Sequence, residues 1–140
     1  MPIPDLLLKE IQAGKLIHYR QLPADVPVRR QLVDADMVSL ADTLKSTQSR
    51  LLTLDLSHNA LTDAGVATLA TAFTEGAPVL QMLNLSRNAI TATGAQSIAM
   101  LLEESIYLSA LRLTGNPIGA DGVRHITNTL LDRFGDIALY

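Results

Sequence analysis

The chain has 140 residues, 48% hydrophobic and 18% charged, with a net charge of −3 and no Cys or Trp. That length fits one domain with a real core, and the lack of cysteine excludes a disulfide framework, a thiolate metal cluster and a cysteine nucleophile. The weakly acidic balance lacks the clustered Lys and Arg that nucleic acid or an anionic membrane calls for, so neither is expected as a partner.

Met1-Pro2-Ile3-Pro4-Asp5 carries no basic segment ahead of an apolar stretch, so no secretory signal is expected. No apolar run approaches the ~18 residues of a membrane span. A cytoplasmic setting follows as the expectation, in the chain's own cell or, for an effector, in a host's. Asp5 to Ala13, with Gly14 beyond, predicts a short capping helix whose Leu7, Leu8 and Ile11 close the first unit. A strand is expected at Leu16 to Gln21. Leu22 to Arg30 reads as a loop, because Pro23 and Pro27 remove donors that a central strand needs. Residues 1–31 thus form a cap with a degenerate strand, and residues 32–50 carry a first helix from Leu32 to Leu44.

Regular units follow. Leu51-Leu52-Thr53-Leu54-Asp55-Leu56-Ser57-His58-Asn59-Ala60-Leu61 has the form LxxLxLxxNxL. It returns in Leu80, Leu83, Leu85, Asn88, Ile90, and again in Leu108, Leu111, Leu113, Asn116, Ile118, so that Leu51, Leu80 and Leu108 mark steps of 29 and 28 residues. Leu54 and Leu56 alternate with Asp55 and Ser57, the period of a short strand with one buried face. Val66, Leu69, Ala70 and Phe73 fall at helical spacing, as do Ala95, Ile98, Ala99, Leu102 and Val123, Ile126, Thr127, Leu130. Each unit (51–79, 80–107, 108–136) is a strand followed by a helix, and neither buries its apolar side alone. The units must stack, with strands in a parallel sheet on one face and helices on the other. Two Phe and three Tyr are the only aromatics, as narrow aliphatic slots require.

Asn59, Asn88 and Asn116 stand where strand turns to helix and are expected to form a structural ladder, each amide bonding backbone through both ends. Gly65, Gly94 and Gly122 recur at the helix starts, where close approach leaves no room for a Cβ. Residues 137–140 begin a further strand, with Ile137 and Tyr140 on conserved strand slots. An uncovered parallel edge is a pairing hazard. Either Tyr140 and Phe134 cap it with bulk, or it pairs with another copy in a homodimer, or the native polypeptide was longer.

On these motifs the chain resembles leucine-rich repeat proteins of the ribonuclease-inhibitor type, whose units alternate 28 and 29 residues and carry a full convex helix. The resemblance covers Leu51 to Leu130 strongly and Leu32 to Leu44 moderately. It implies an α/β fold, a right-handed solenoid forming a short horseshoe arc with a parallel sheet on the concave face and α-helices on the convex face. It also implies binding of another protein on the concave sheet, as in bacterial effectors and receptor fragments that use this repeat.

No enzyme chemistry is legible. His18, His58 and His125 lie in different units without the spacing of a metal or acid–base site. The Gly-rich stretch Gly115 to Gly122 lacks the Lys of a phosphate loop. No cofactor and no metal are expected. Repeat registration puts four columns on the exposed sheet face: Thr53, Met82, Ala110; Asp55, Asn84, Arg112; Ser57, Ser86, Thr114; and His58, Arg87, Gly115. These groups either solvate the face and pair locally, or they make a contact patch of Asp55, His58, Met82, Asn84, Arg87 and Arg112, with Arg and Met of the kind found at interface centres.

Overall fold

The computed structural model describes residues 18–20, 32–45, 52–75, 79–105, 107–133 and 138–139. The expected capping helix, the Pro-containing loop and the edge residues Phe134, Ile137 and Tyr140 lie outside them.

Among the described residues five strands form one sheet in sequence order: β1 (His18–Arg20), β2 (Thr53–Asp55), β3 (Met82–Asn84), β4 (Ala110–Arg112) and β5 (Ala138–Leu139). Every pairing is parallel, because each strand returns to its neighbour through a crossover rather than a hairpin. Among the described residues four helices supply the opposite layer: α1 (Asp36–Leu44), α2 (Asp63–Glu75), α3 (Ala92–Glu104) and α4 (Gly119–Arg133). Each packs on the next in chain order, so the described chain is an α/β solenoid arc.

The core is a set of aliphatic columns. Leu54, Leu83 and Leu111 are register partners at mid-strand, and all three are fully buried. Leu56, Leu85, Leu61 and Ile90 close the turns beneath them. On the helices, Met37, Leu40, Ala41 and Leu44 of α1 match Val66, Leu69, Ala70 and Phe73 of α2, then Ala95, Ile98, Ala99 and Leu102 of α3. Burying one such Leu, Ile or Phe side chain contributes about 1.5–3 kcal/mol, and the recurrence of the same slot makes each unit the lid of the one before.

The turns are held by asparagine. Leu32 N–H donates to Asn59 Oδ1 at 2.8 Å, and Asn59 Nδ2 donates to the Leu56 and Ser57 carbonyls. Leu61 N–H donates to Asn88 Oδ1, and Asn88 Nδ2 reaches the Leu56, Leu85 and Ser86 carbonyls. Asn116 Oδ1 accepts from Asn88 N–H and Ile90 N–H, while its Nδ2 donates to Leu85 and Leu113. Loop amides with no sheet partner thereby find acceptors inside the fold, as buried backbone groups must.

A second ladder runs along the helix starts. Asp34 accepts from both Thr62 N–H and Thr62 Oγ1, and Asp63 accepts in the same way from Thr91. These carboxylates explain two glycines. A Cβ on Gly65 would come within 2.2 Å of Asp34 Oδ1, and one on Gly94 within 2.4 Å of Asp63 Oδ1. In α1 the position equivalent to these glycines is Asp36, which accepts Val33 N–H at 2.8 Å in the turn that leads into the helix. At the last junction the pair is lost on both sides, since Ala92 replaces the acid and Gly119 the threonine. Lys45 adds a bridge from the end of α1 to Glu75 of α2 at 2.7 Å, and this hydrogen bond holds its ammonium above the ordinary lysine range.

Candidate functional site on the concave sheet

Strand residues on either side of the buried mid-strand leucines turn away from the helices. Register aligns Thr53, Met82 and Ala110 in one column and Asp55, Asn84 and Arg112 in another, about one strand spacing of ~4.8 Å apart. Arg20 of β1 is the backbone register partner of Asp55. The sequence reading did not align it there.

The six expected contact residues separate into two groups. Asp55 is half-buried, and its Oδ1 accepts both Ser57 N–H and Ser57 Oγ. Asn84 repeats this clamp with Ser86. Asn84 is only 8% exposed, which corrects the expectation of an open acid, amide, base column. It lies between two filled neighbours, and its amide oxygen is folded back into a local Asx turn. Met82 is half-buried. His58, Arg87 and Arg112 are exposed.

His58 and Arg87 share an unexpected backbone state. Their φ angles are 59° and 56°, and Gly115, the equivalent residue one unit later, has φ 78°. Left-handed geometry is routine for glycine and unfavourable for other residues by about 1 kcal/mol or more. The backbone is fixed there from the next unit: His58 N–H donates to the Ser86 carbonyl, and Arg87 N–H to the Thr114 carbonyl at 2.8 Å. Gly115 was the sequence signal for this conformation, read across to its two repeat partners. The Arg87 side chain leans toward that glycine, since a Cβ on Gly115 would meet Arg87 Cγ at 3.0 Å. Among the described residues the Arg87 guanidinium has no ion pair or hydrogen bond.

Away from the sheet, Glu103, Glu104 and His125 are exposed on the convex helices. No group of metal-ligating side chains is assembled among the described residues. No helix among them is long and apolar enough to cross a membrane. A groove of about 720 Å³ opens beside α4, lined by Leu113, Ile118, Val123 and Ile126. These residues occupy the slots that a following unit covers elsewhere; Val123 is 49% exposed, whereas its equivalents Val66 and Ala95 are fully buried.

A family model described as Leucine Rich repeat matches residues 48–70, 77–99 and 104–126. The chain is a leucine-rich repeat protein. Each match spans one strand, its asparagine turn and the first part of the helix that follows. The leucine-rich repeat arc is similar to a solved structure titled "Leiomodin-1 Actin-Binding Site 2 (ABS2)", with a TM-score of 0.79 and 17% identity over 96% of this chain and 76% of that one. At that identity the likeness is one of fold. No curated protein matches the sequence.

Proposed function

We propose that the chain is a non-catalytic interaction module that binds a partner protein on the concave sheet, at the rim carrying His58, Arg87 and Arg112. The observation that carries this reading is that His58 and Arg87, at equivalent places in successive units, are exposed on left-handed backbone, with Arg112 exposed on the adjoining strand. Strain kept where glycine would relieve it points to a use for the side chain. Asp55 and Asn84 act in this reading as the clamps that shape the strand ends, and Met82 supplies apolar contact beside them.

We further read the repeats as the ribonuclease-inhibitor type. Helices of 13, 13 and 15 residues on the regular units support this, together with unit steps of 29 and 28 residues. A cytoplasmic setting, as in an effector or a receptor fragment, is part of the proposal; a cysteine-free chain loses nothing in a reducing compartment. The name of the leiomodin structure makes actin the first defined protein to test.

The experiment is affinity capture from lysate, and separately with purified actin, using the wild-type chain and Arg87→Glu/Arg112→Glu as paired baits. A protein held by wild type and absent from the variant supports the concave site. The same proteins on both baits would exclude it.

A further inference from the structure

We infer that Arg87 is a pre-positioned anchor for a carboxylate, so that the partner presents an acidic Asp/Glu segment to the rim. This deepens the concave-face reading and rests on it. The local geometry supplies three independent reasons. Arg87 is held at φ 56° although the equivalent position one unit later is glycine, so a residue that would relieve the strain is available to the repeat and is not used. Its backbone is pinned by the hydrogen bond to Thr114, and its stem leans on the space that Gly115 leaves open. The side chain is thus partly ordered before binding, which lowers the entropy lost on contact. Finally, the Arg87 guanidinium is exposed and has no ion pair among the described residues. The planar fork of this exposed Arg matches a carboxylate through two parallel hydrogen bonds.

The test uses the isotopically labelled full chain, with the Arg87 side-chain Nε–Hε and Gly115 amide signals followed by NMR. Decaglutamate, decalysine and inorganic phosphate serve as probes. Decaglutamate is expected to shift both signals saturably, and decalysine to leave them unmoved. Arg87→Asn keeps a residue tolerant of the left-handed region, so its melting temperature is not lowered relative to wild type. Its affinity for decaglutamate falls about tenfold or more, the loss of a charge-assisted contact. Arg87→Lys keeps the charge without the fork and falls between the two.

An unmoved Arg87 signal with decaglutamate would overturn the inference, as would equal affinity in Arg87→Asn. Inorganic phosphate binding Arg87 as tightly as decaglutamate would overturn the carboxylate assignment. If decaglutamate fails while lysate capture still depends on Arg87, the acidic partner is wrong and the concave site stands. Loss of Arg87 dependence in capture, with decaglutamate still bound, removes the concave-site reading and leaves the anion contact.

Discussion

The backbone N–H of Asn88 donates to Oδ1 of Asn116 at 3.1 Å, linking the turn of one repeat to the turn of the next. The Nδ2 of Asn88 faces the opposite way and donates to Leu56 of the preceding repeat. Backbone and side chain of one residue therefore tie three repeats together. Asn88→Ala leaves the buried Leu61 N–H without its acceptor and takes one of the two asparagine donors from each of the Leu56 and Leu85 carbonyls, and is expected to lower stability by about 1–3 kcal/mol. A urea titration reads this as a fall in midpoint. An unchanged midpoint would show that the ladder is incidental to stability.

The glycine at the start of α2 is paired with an acid from the repeat before it. Gly65→Ala drives a Cβ into Asp34 and is expected to be destabilising by about 1–3 kcal/mol, in the range of overpacking. Asp34→Ala removes the obstacle together with the bonds to Thr62. In a double-mutant cycle the two changes are therefore less damaging together than the sum of each alone. Strict additivity in thermal or chemical unfolding would contradict the contact.

The same slot has different weights along the arc. Val66 is fully buried between α1 and α3, whereas Val123 is 49% exposed beside the groove at α4. Truncating Val66 to Ala removes buried methyl groups at ~0.8 kcal/mol each and is expected to cost about 1–2 kcal/mol. Val123→Ala falls within about 0.5 kcal/mol of wild type, as partly exposed positions do. Equal losses measured by chemical unfolding would mean that Val123 is covered in solution.

Much of this arrangement is legible in the sequence. The Leu54, Leu83, Leu111 column and the helical slots follow from two alternating periods in one unit, and the asparagine turns follow from their recurrence at one register. What escaped was interaction across the junctions. The Asp34 to Thr62 and Asp63 to Thr91 pairs join residues 28 apart, and neither local periodicity nor residue type marks them. The joint loss at Ala92 and Gly119 was the available signal. Asn84 was misread as open because alternation reports the side of the sheet, not whether an amide folds back on its own turn. The left-handed state of His58 and Arg87 was hidden by bulky residues in a slot that only Gly115 reveals.

Relief of that strain separates the rim from the framework. His58→Asn and Arg87→Asn each place a residue tolerant of positive φ at these positions. Each is expected to leave thermal stability equal or raised by up to about 1 kcal/mol. A clear fall in melting temperature would mean that the two side chains are structural rather than held for contact.

The central claim is that the concave rim, and not the convex helices, meets the partner. Its most direct measurement is the affinity of a captured partner for two charge reversals of equal size, Arg87→Glu/Arg112→Glu on the rim and Glu103→Arg/Glu104→Arg on the convex face. The account predicts at least about a hundredfold loss for the rim variant, as for reversing central charged contacts, and less than about twofold for the convex one. Loss of affinity in the convex variant with the rim variant unaffected would contradict it.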